Sequence, residues 1–253
     1  MSSKVVKLSS ENIVLGKGFI KAAEAFKKQA SSKSAIVFGG TGEVGREVIK
    51  HLLASDAFDK VTVLTRRPIE YSGINADKLV QKSADYEDTK QLETDMAGHS
   101  HVFSCLGTTR SKSGSQGFYK VDHDYVLNAA KACKAAGVQH YSICSSTGAN
   151  KNSWFLYTRT KGEVDDEVMN MGFASASVFR PAMIECEREE LRLMEKLAMY
   201  VLPAVKLILP KNAGSPSSTI AWSMVFNELK PGEQPKSRIF GNADILSMFK
   251  DNQ

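Results

Sequence analysis

Several features that would classify this chain quickly are missing from it. Its four cysteines, Cys105, Cys133, Cys144 and Cys186, form no Cys-x-x-Cys pair and stand at no metal-ligand spacing from a histidine. A disulfide scaffold and a structural zinc site are therefore not expected, and the thiols read as free groups in a reducing compartment. His51, His99, His101, His123 and His140 show no ligand spacing either, so no metal is expected. No apolar run reaches the roughly twenty residues a spanning helix needs, and the N-terminus lacks an apolar stretch of signal-peptide length. A soluble, cytoplasmic protein is the expectation. Charge is not blocked: 33 basic and 28 acidic residues are interspersed, and the net +5 reads as a solvated surface rather than a nucleic-acid footprint. Neither an internal repeat nor a low-complexity tract is present.

What is present begins at Ala35-Ile-Val-Phe-Gly-Gly-Thr-Gly-Glu-Val-Gly-Arg46, an apolar strand running through glycines into a helix marked by Val44, Val48, Ile49, Leu52 and Leu53. In such a turn Gly39 permits the tight bend, Gly42 lets the backbone approach a pyrophosphate, and Gly45 lets the helix pack close. Thr41, Glu43 and Val44 complete the cradle at the helix N-terminus, where free N–H groups face an anion. A Walker loop is excluded because Arg46-Glu47 stands where Lys then Ser or Thr is required. A kinase loop is excluded because no His-Arg-Asp or Asp-Phe-Gly follows.

The chain then alternates strands and helices. Lys60–Thr65 is a second strand, closed by Arg66 and Arg67 where an NAD-specific site carries a carboxylate. Two guanidinium groups suit a 2′-phosphate, so NADPH is expected over NADH. Leu79–Ser83 is a third strand, and Asp85 beyond it is either an adenine contact or the N-cap of the next helix. His101–Gly107 reads as the fourth strand, with Gly107 and Thr108 opening a Ser-, Gly- and Lys-rich loop that ends near Gly117. A helix through Tyr125, Leu127, Ala130 and Cys133 stops at Gly137, and His140–Cys144 is the fifth strand. Twelve residues past Ser145 comes Tyr157-Thr-Arg-Thr-Lys161, whose spacing by four puts Tyr157 and Lys161 on one helix face. In that arrangement Tyr157 is a proton donor to a carbonyl oxygen, Lys161 tunes it by charge, and Ser145, with Ser146 as substitute, holds the oxygen.

The sequence resembles short-chain dehydrogenase/reductases of the extended or atypical kind. It carries Gly39-x-x-Gly42-x-x-Gly45, Ser145, Tyr157-x-x-x-Lys161 and Phe179-Arg180-Pro181. Within that group it is similar to the HIV Tat-interacting oxidoreductase family. The similarity lies in Cys105-Leu-Gly-Thr-Thr-Arg110, Asp122-x-Asp-Tyr-Val-Leu127, Phe155-Leu-Tyr157, Lys161-Gly-Glu-Val164 and Cys186-x-Arg188-x-Glu190-x-Arg192. The resemblance spans Lys33 to Arg192 and fades after it. It implies NADPH contacts at Arg66, Arg67, Leu106, Gly107, Tyr157, Lys161, Ile184 and Arg192, and Pro181 at the end of the sixth strand is a further expected cofactor contact. It also implies an alternative role, a redox-sensing interaction protein in growth control or nuclear transport, and with it a nuclear location. Ala182 departs from the family's glycine after Pro181.

The expected fold is a Rossmann-type, doubly wound α/β domain over 34–253, with a parallel sheet in the order 3-2-1-4-5-6, an N-terminal helical extension over 1–33 and a small substrate-side cap from 188–253. Lys17–Ala30 is either a helix packed on the domain or a targeting presequence; Glu11 and Glu24 weigh against the latter. From Arg188 to Val201 the apolar spacing is helical up to Pro203, as a docking helix, an apolar lid or a membrane-surface segment. Ser217 or Ser218 is expected to cap a helix ending before Pro231, with a late strand at Arg238–Phe240 and a final helix over Ile245–Phe249.

Overall fold

The structure is a computed structural model that describes residues 5–11, 13–29, 33–108, 110–185, 214–230 and 237–253. The expected Arg188–Val201 helix and Arg192 lie outside these residues.

Strand β2 (Ser34–Phe38) is buried at every position, as a central parallel strand covered on both faces must be. Beside it lie β3 (Lys60–Thr65) and β5 (Leu79–Ser83) on one side, and β6 (His101–Ser104), β7 (His140–Cys144), β8 (Ser175–Arg180) and β11 (Ser237–Gly241) on the other. The order is β5-β3-β2-β6-β7-β8-β11, all pairs parallel. This is the expected order with a seventh strand added at the edge. The strand order reverses between β2 and β6, so the crevice for a ligand opens past their carboxyl ends. β6 is shorter than expected. Cys105 still donates its N–H to Phe38, and Leu106 and Gly107 leave the sheet toward that crevice.

One face of the sheet is covered by α1 (Lys17–Lys27), α2 (Glu43–Ser55) and α7 (Ser217–Leu229). The other carries α3 (Thr89–Met96), α5 (Val126–Ala135) and α6 (Leu156–Asn170). α7 is buried along its length from Thr219 to Leu229, its polar Thr219, Ser223, Asn227 and Glu228 included. It is a core helix, and β11 joins the main sheet, so the described parts of 188–253 build the domain body. Its N-cap is Pro216, and neither Ser217 nor Ser218 caps it with a side chain. α1 buries Phe19, Ala22, Ala23 and Phe26, with Phe19 against Trp222 at 5.2 Å, and Trp222 donates its indole N–H to Leu15. The N-terminal helix is thus packed on the domain. Ahead of it, β1 (Val6–Ser9) pairs with β4 (Ile69–Ser72).

Two local readings are corrected. The stretch expected as a loop is helical, α4 (Arg110–Tyr119), broken at Gly114 (φ 69°), and it continues into a π-helical turn over Lys120–Tyr125. Asp85 does not cap α3: Asp88 does, accepting from the Gln91 N–H, while Asp85 accepts from Glu87 within its own turn. A 3-10 turn (Ala76–Lys78), β9 (Ile184–Glu185), β10 (Ser215–Pro216) and the final helix α8 (Asn242–Lys250) complete the described elements.

Candidate active site

The cradle is built by contacts that only glycine allows. Gly39 has φ +71°, and a Cβ there would stand 2.3 Å from the Cys105 carbonyl; a Cβ on Gly45 would stand 2.3 Å from the Gly39 carbonyl. The turn is closed by the Gly42 N–H on Gly39 at 2.9 Å, and Gly42 becomes the N-cap of α2 with no side chain capping it. The first N–H groups of α2 are therefore available to an anion. Thr41 and Glu43 are half-buried at the rim, Glu43 pairs with Arg46 at 2.6 Å, and Val44 is buried. At the end of β3, Thr65 shapes the turn by exchanging hydrogen bonds with Arg67, and Arg67 reaches the Thr41 carbonyl at a long 3.5 Å. Arg66 and Arg67 are exposed and form no salt bridge among the described residues.

On the other side of the crevice, Lys161 is buried on α6 with its ammonium 2.7 Å from Asp122, itself 2% exposed in the π-helical turn. Burial alone would lower the lysine pKa; the charges of Asp122 and Tyr157 more than offset it, and the net shift is upward. Asp122 also accepts the Thr108 N–H at 2.7 Å, and a Cβ on Gly107 would come within 3.2 Å of the same carboxylate. Tyr157, 41% exposed, lies one turn before Lys161, its ring 5.7 Å from that of Phe118. The preceding loop is pinned by the Asn150 N–H on Thr158 and by the pair Ser153 and Thr158, and it presents Trp154 at 96% exposure and Phe155 at 77%.

Ser145 is placed differently from its expected role. It is buried and donates its hydroxyl proton to Asp165 at 2.9 Å; Arg180 donates to the same carboxylate oxygen at 2.8 Å. Burial raises the Asp165 pKa against the pull of Ser145 and Arg180. Ser145 is thus left as an acceptor, whereas Ser146 is half-buried and, among the described residues, its hydroxyl makes a single 3.3 Å bond to the Thr147 carbonyl. Past β8, Pro181 is buried, Ile184 is exposed, and the Ala182 N–H is held by Asn242 at 2.9 Å.

At the opposite end of the sheet the β6–β7 register sets His101 beside His140, their rings 4.3 Å apart and nearly parallel, with Glu228 of α7 close by. Parallel stacked rings do not aim both lone pairs at one ion, and each ring already uses Nδ1 on a serine, Ser100 and Ser175. Burial holds both histidines below their ordinary pKa and raises Glu228 to about 7.

A strand, a glycine cradle at a helix N-terminus and a topological switch point together form a dinucleotide site, and residues 39–195 match the NAD(P)H-binding family. The chain belongs to that family. This NAD(P)H-binding chain is 36% identical over 233 residues to Protein HTATIP2 of Rattus norvegicus, covering 92% of this chain and 95% of the relative. It is 33% identical over 226 residues to Protein FMP52-1, mitochondrial, of Scheffersomyces stipitis, covering 86% and 99%. Among solved structures, a short-chain type dehydrogenase/reductase from Mycobacterium ulcerans superposes with a TM-score of 0.60 at 15% identity, covering 85% of this chain and 90% of that one. MoeE5 in complex with UDP-glucuronic acid and NAD gives 0.62 at 14%, covering 82% and 75%; both show the fold. The expected cytoplasmic or nuclear location is overturned by the fungal relatives, which are named mitochondrial. Among the described residues no helix is long and apolar enough to cross a membrane.

Of the expected site residues, the structure groups Gly39, Thr41, Gly42, Glu43 and Val44 at one wall and Leu106, Gly107, Thr108, Tyr157 and Lys161 at the other. Missed from sequence were Asp122, Asp165 and Arg180 as side-chain partners. The signal for Asp122 was a carboxylate inside a helical stretch of the matched motif, but nothing local reveals that its partner lies 39 residues away.

Proposed function

We propose that this chain is an NADPH-dependent oxidoreductase that reduces a carbonyl of an aldehyde, ketone or quinone. The observation that carries the reading is the buried Lys161 ammonium, fixed by Asp122 beside the Gly107 loop and one turn from the accessible Tyr157. The glycine cradle fits a dinucleotide because Gly39 and Gly45 leave no room for side chains and the α2 N–H groups are uncapped. When bound, the nicotinamide supplies a hydride. Gly39, Thr41, Gly42, Glu43 and Val44 would hold the pyrophosphate, Arg66 and Arg67 the 2′-phosphate, and Asp85 the adenine. Leu106, Gly107, Thr108, Pro181 and Ile184 would flank the nicotinamide end, with Arg192 assigned by resemblance alone.

Tyr157 gives its proton to the developing alkoxide, and the fixed cation of Lys161 favours the phenolate left behind. Ser146, rather than Ser145, has a hydroxyl proton free of a buried carboxylate and polarises the carbonyl; Ser145 braces the end of β7 through Asp165. The exposed Trp154 and Phe155 favour a second reading, in which the dinucleotide-bound chain docks a protein partner without turnover. The fungal relatives named mitochondrial support a mitochondrial setting for this activity. NADPH oxidation by the purified chain against aldehydes, ketones and quinones tests the first reading. Tyr157-dependent turnover of any of them supports it; tight NADPH binding with no turnover moves the assignment to the second.

A further inference from the structure

We infer that Asp122 is a positioning residue that keeps Lys161 charged and ties it to the loop that borders the nicotinamide. The inference rests on the oxidoreductase reading. Asp122 sits in the π-helical turn Lys120–Tyr125, a widened turn that re-aims side chains and recurs at functional sites. Its two oxygens serve different elements: Oδ1 takes the Lys161 ammonium of α6 at 2.7 Å, and Oδ2 takes the Thr108 N–H at 2.7 Å. Gly107 closes the arrangement, since a Cβ there would stand 3.2 Å from Oδ1 and 3.7 Å from the lysine Nζ. One carboxylate therefore joins three segments: the π-helical turn, α6 and the loop after β6.

The charge argument follows from burial. A buried ammonium without a counterion gives up its proton, because desolvation penalises the charged form. The groups acting on Lys161 are Asp122 from the π-helical turn, Tyr157 and Asp165 from α6, and Cys144 from β7; Cys105 lies past the end of β6. Of these, Asp122 makes the direct contact and is the largest influence opposing desolvation. Asp165 is already shared by Ser145 and Arg180. Without Asp122, desolvation dominates, Lys161 becomes neutral at lower pH, and Tyr157 loses the cation that favours its phenolate.

Asp122→Asn tests this, because the amide oxygen can still accept from Thr108 while the charge is lost. Full-length wild type, Asp122→Asn and Asp122→Glu are compared for NADPH affinity and for kcat between pH 6 and 10, with 9,10-phenanthrenequinone as probe. Expected for Asp122→Asn is a kcat within about threefold of wild type at pH 6 and at least tenfold lower at pH 9, the alkaline limb moving by one pH unit or more. Asp122→Glu restores the limb. A pH-independent loss of kcat in Asp122→Asn, or an unchanged profile, overturns the inference and leaves Asp122 a bracing residue. If wild type turns over neither this probe nor any other carbonyl, the oxidoreductase reading fails. The pH dependence of NADPH affinity then decides on Asp122 alone: affinity flat to pH 9 in wild type and weakening at lower pH in Asp122→Asn supports it, and parallel profiles overturn it. Where Asp122→Asn does not fold, the wild type still decides, since an NADPH affinity that weakens more than tenfold between pH 7 and 9 contradicts a charged Lys161.

Discussion

Glu228→Gln should stabilise this protein, and only on the alkaline side. Glu228 is 5% exposed near the end of α7, where its carboxyl receives the Asn227 side-chain N–H at 3.1 Å and pairs with no Lys or Arg among the described residues. Burial raises its pKa from 4.5 to about 7, against the hydrogen bonds of Asn227 and Ser177. Because the folded-state value lies above the unfolded one, the carboxyl's contribution is fully present below about pH 4.5 and is lost as pH rises through about 7. At about 1.4 kcal/mol per unit, the shift amounts to roughly 3 kcal/mol at pH 8. Glutamine keeps the acceptor and never ionises, so the variant should gain on the order of 3 kcal/mol at pH 8 and under about 1 kcal/mol at pH 5. For a domain of this size that is roughly 6–10 °C in Tm at pH 8. His101 and His140, held below their ordinary pKa, act in the other direction: their contribution is lost as pH falls below about 6.5, and this acid limb should survive in the variant. Thermal unfolding followed by circular dichroism from pH 5 to 8.5 reads both limbs. Equal Tm differences at pH 5 and pH 8, or a variant less stable at pH 8, would refute the reasoning.

Arg66→Ala should weaken NADPH by tenfold or more while changing NADH by less than about threefold, measured by fluorescence titration; equal losses would remove the 2′-phosphate assignment. Gly45→Ala puts a methyl 2.3 Å from the Gly39 carbonyl, so dinucleotide binding by calorimetry should fall at least tenfold for both cofactors. Ser146→Ala should lower kcat by about a hundredfold with Tm nearly unchanged, whereas Ser145→Ala should lower Tm by several degrees by leaving the buried Asp165 with Arg180 in place of two donors; the reverse pattern would return the substrate oxygen to Ser145.

The parts legible in the sequence were those fixed by local pattern. Gly39, Gly42 and Gly45 announce the cradle because Gly42 and Gly45 crowd the Gly39 carbonyl within one strand-turn-helix unit, and the alternation of strands and helices yields the sheet order through right-handed crossovers. Residues whose meaning depends on a distant partner were not legible. Asp122 finds Lys161 across 39 positions, Asp165 finds Arg180 across a strand, and His101 meets His140 only through the β6–β7 register. Helix α7 is opaque for another reason: its Thr219, Ser223, Asn227 and Glu228 are buried with its apolar residues, so the sequence does not say whether the helix caps a cleft or fills the core. The Ser-, Gly- and Lys-rich stretch before Tyr119 read as loop because its composition favours turns, but its backbone is helical on both sides of Gly114.

The most direct test of the central claim follows a label from cofactor to product. NADPH carrying deuterium at the nicotinamide C4 is mixed with the protein and a reducible carbonyl, and the alcohol is examined by mass spectrometry. The account predicts deuterium on the carbinol carbon from one face of the cofactor only, at a rate reduced a hundredfold or more in Tyr157→Phe, whose NADPH affinity stays within about threefold of wild type. Deuterium transfer by Tyr157→Phe at the full wild-type rate, or none by the wild type, would contradict it.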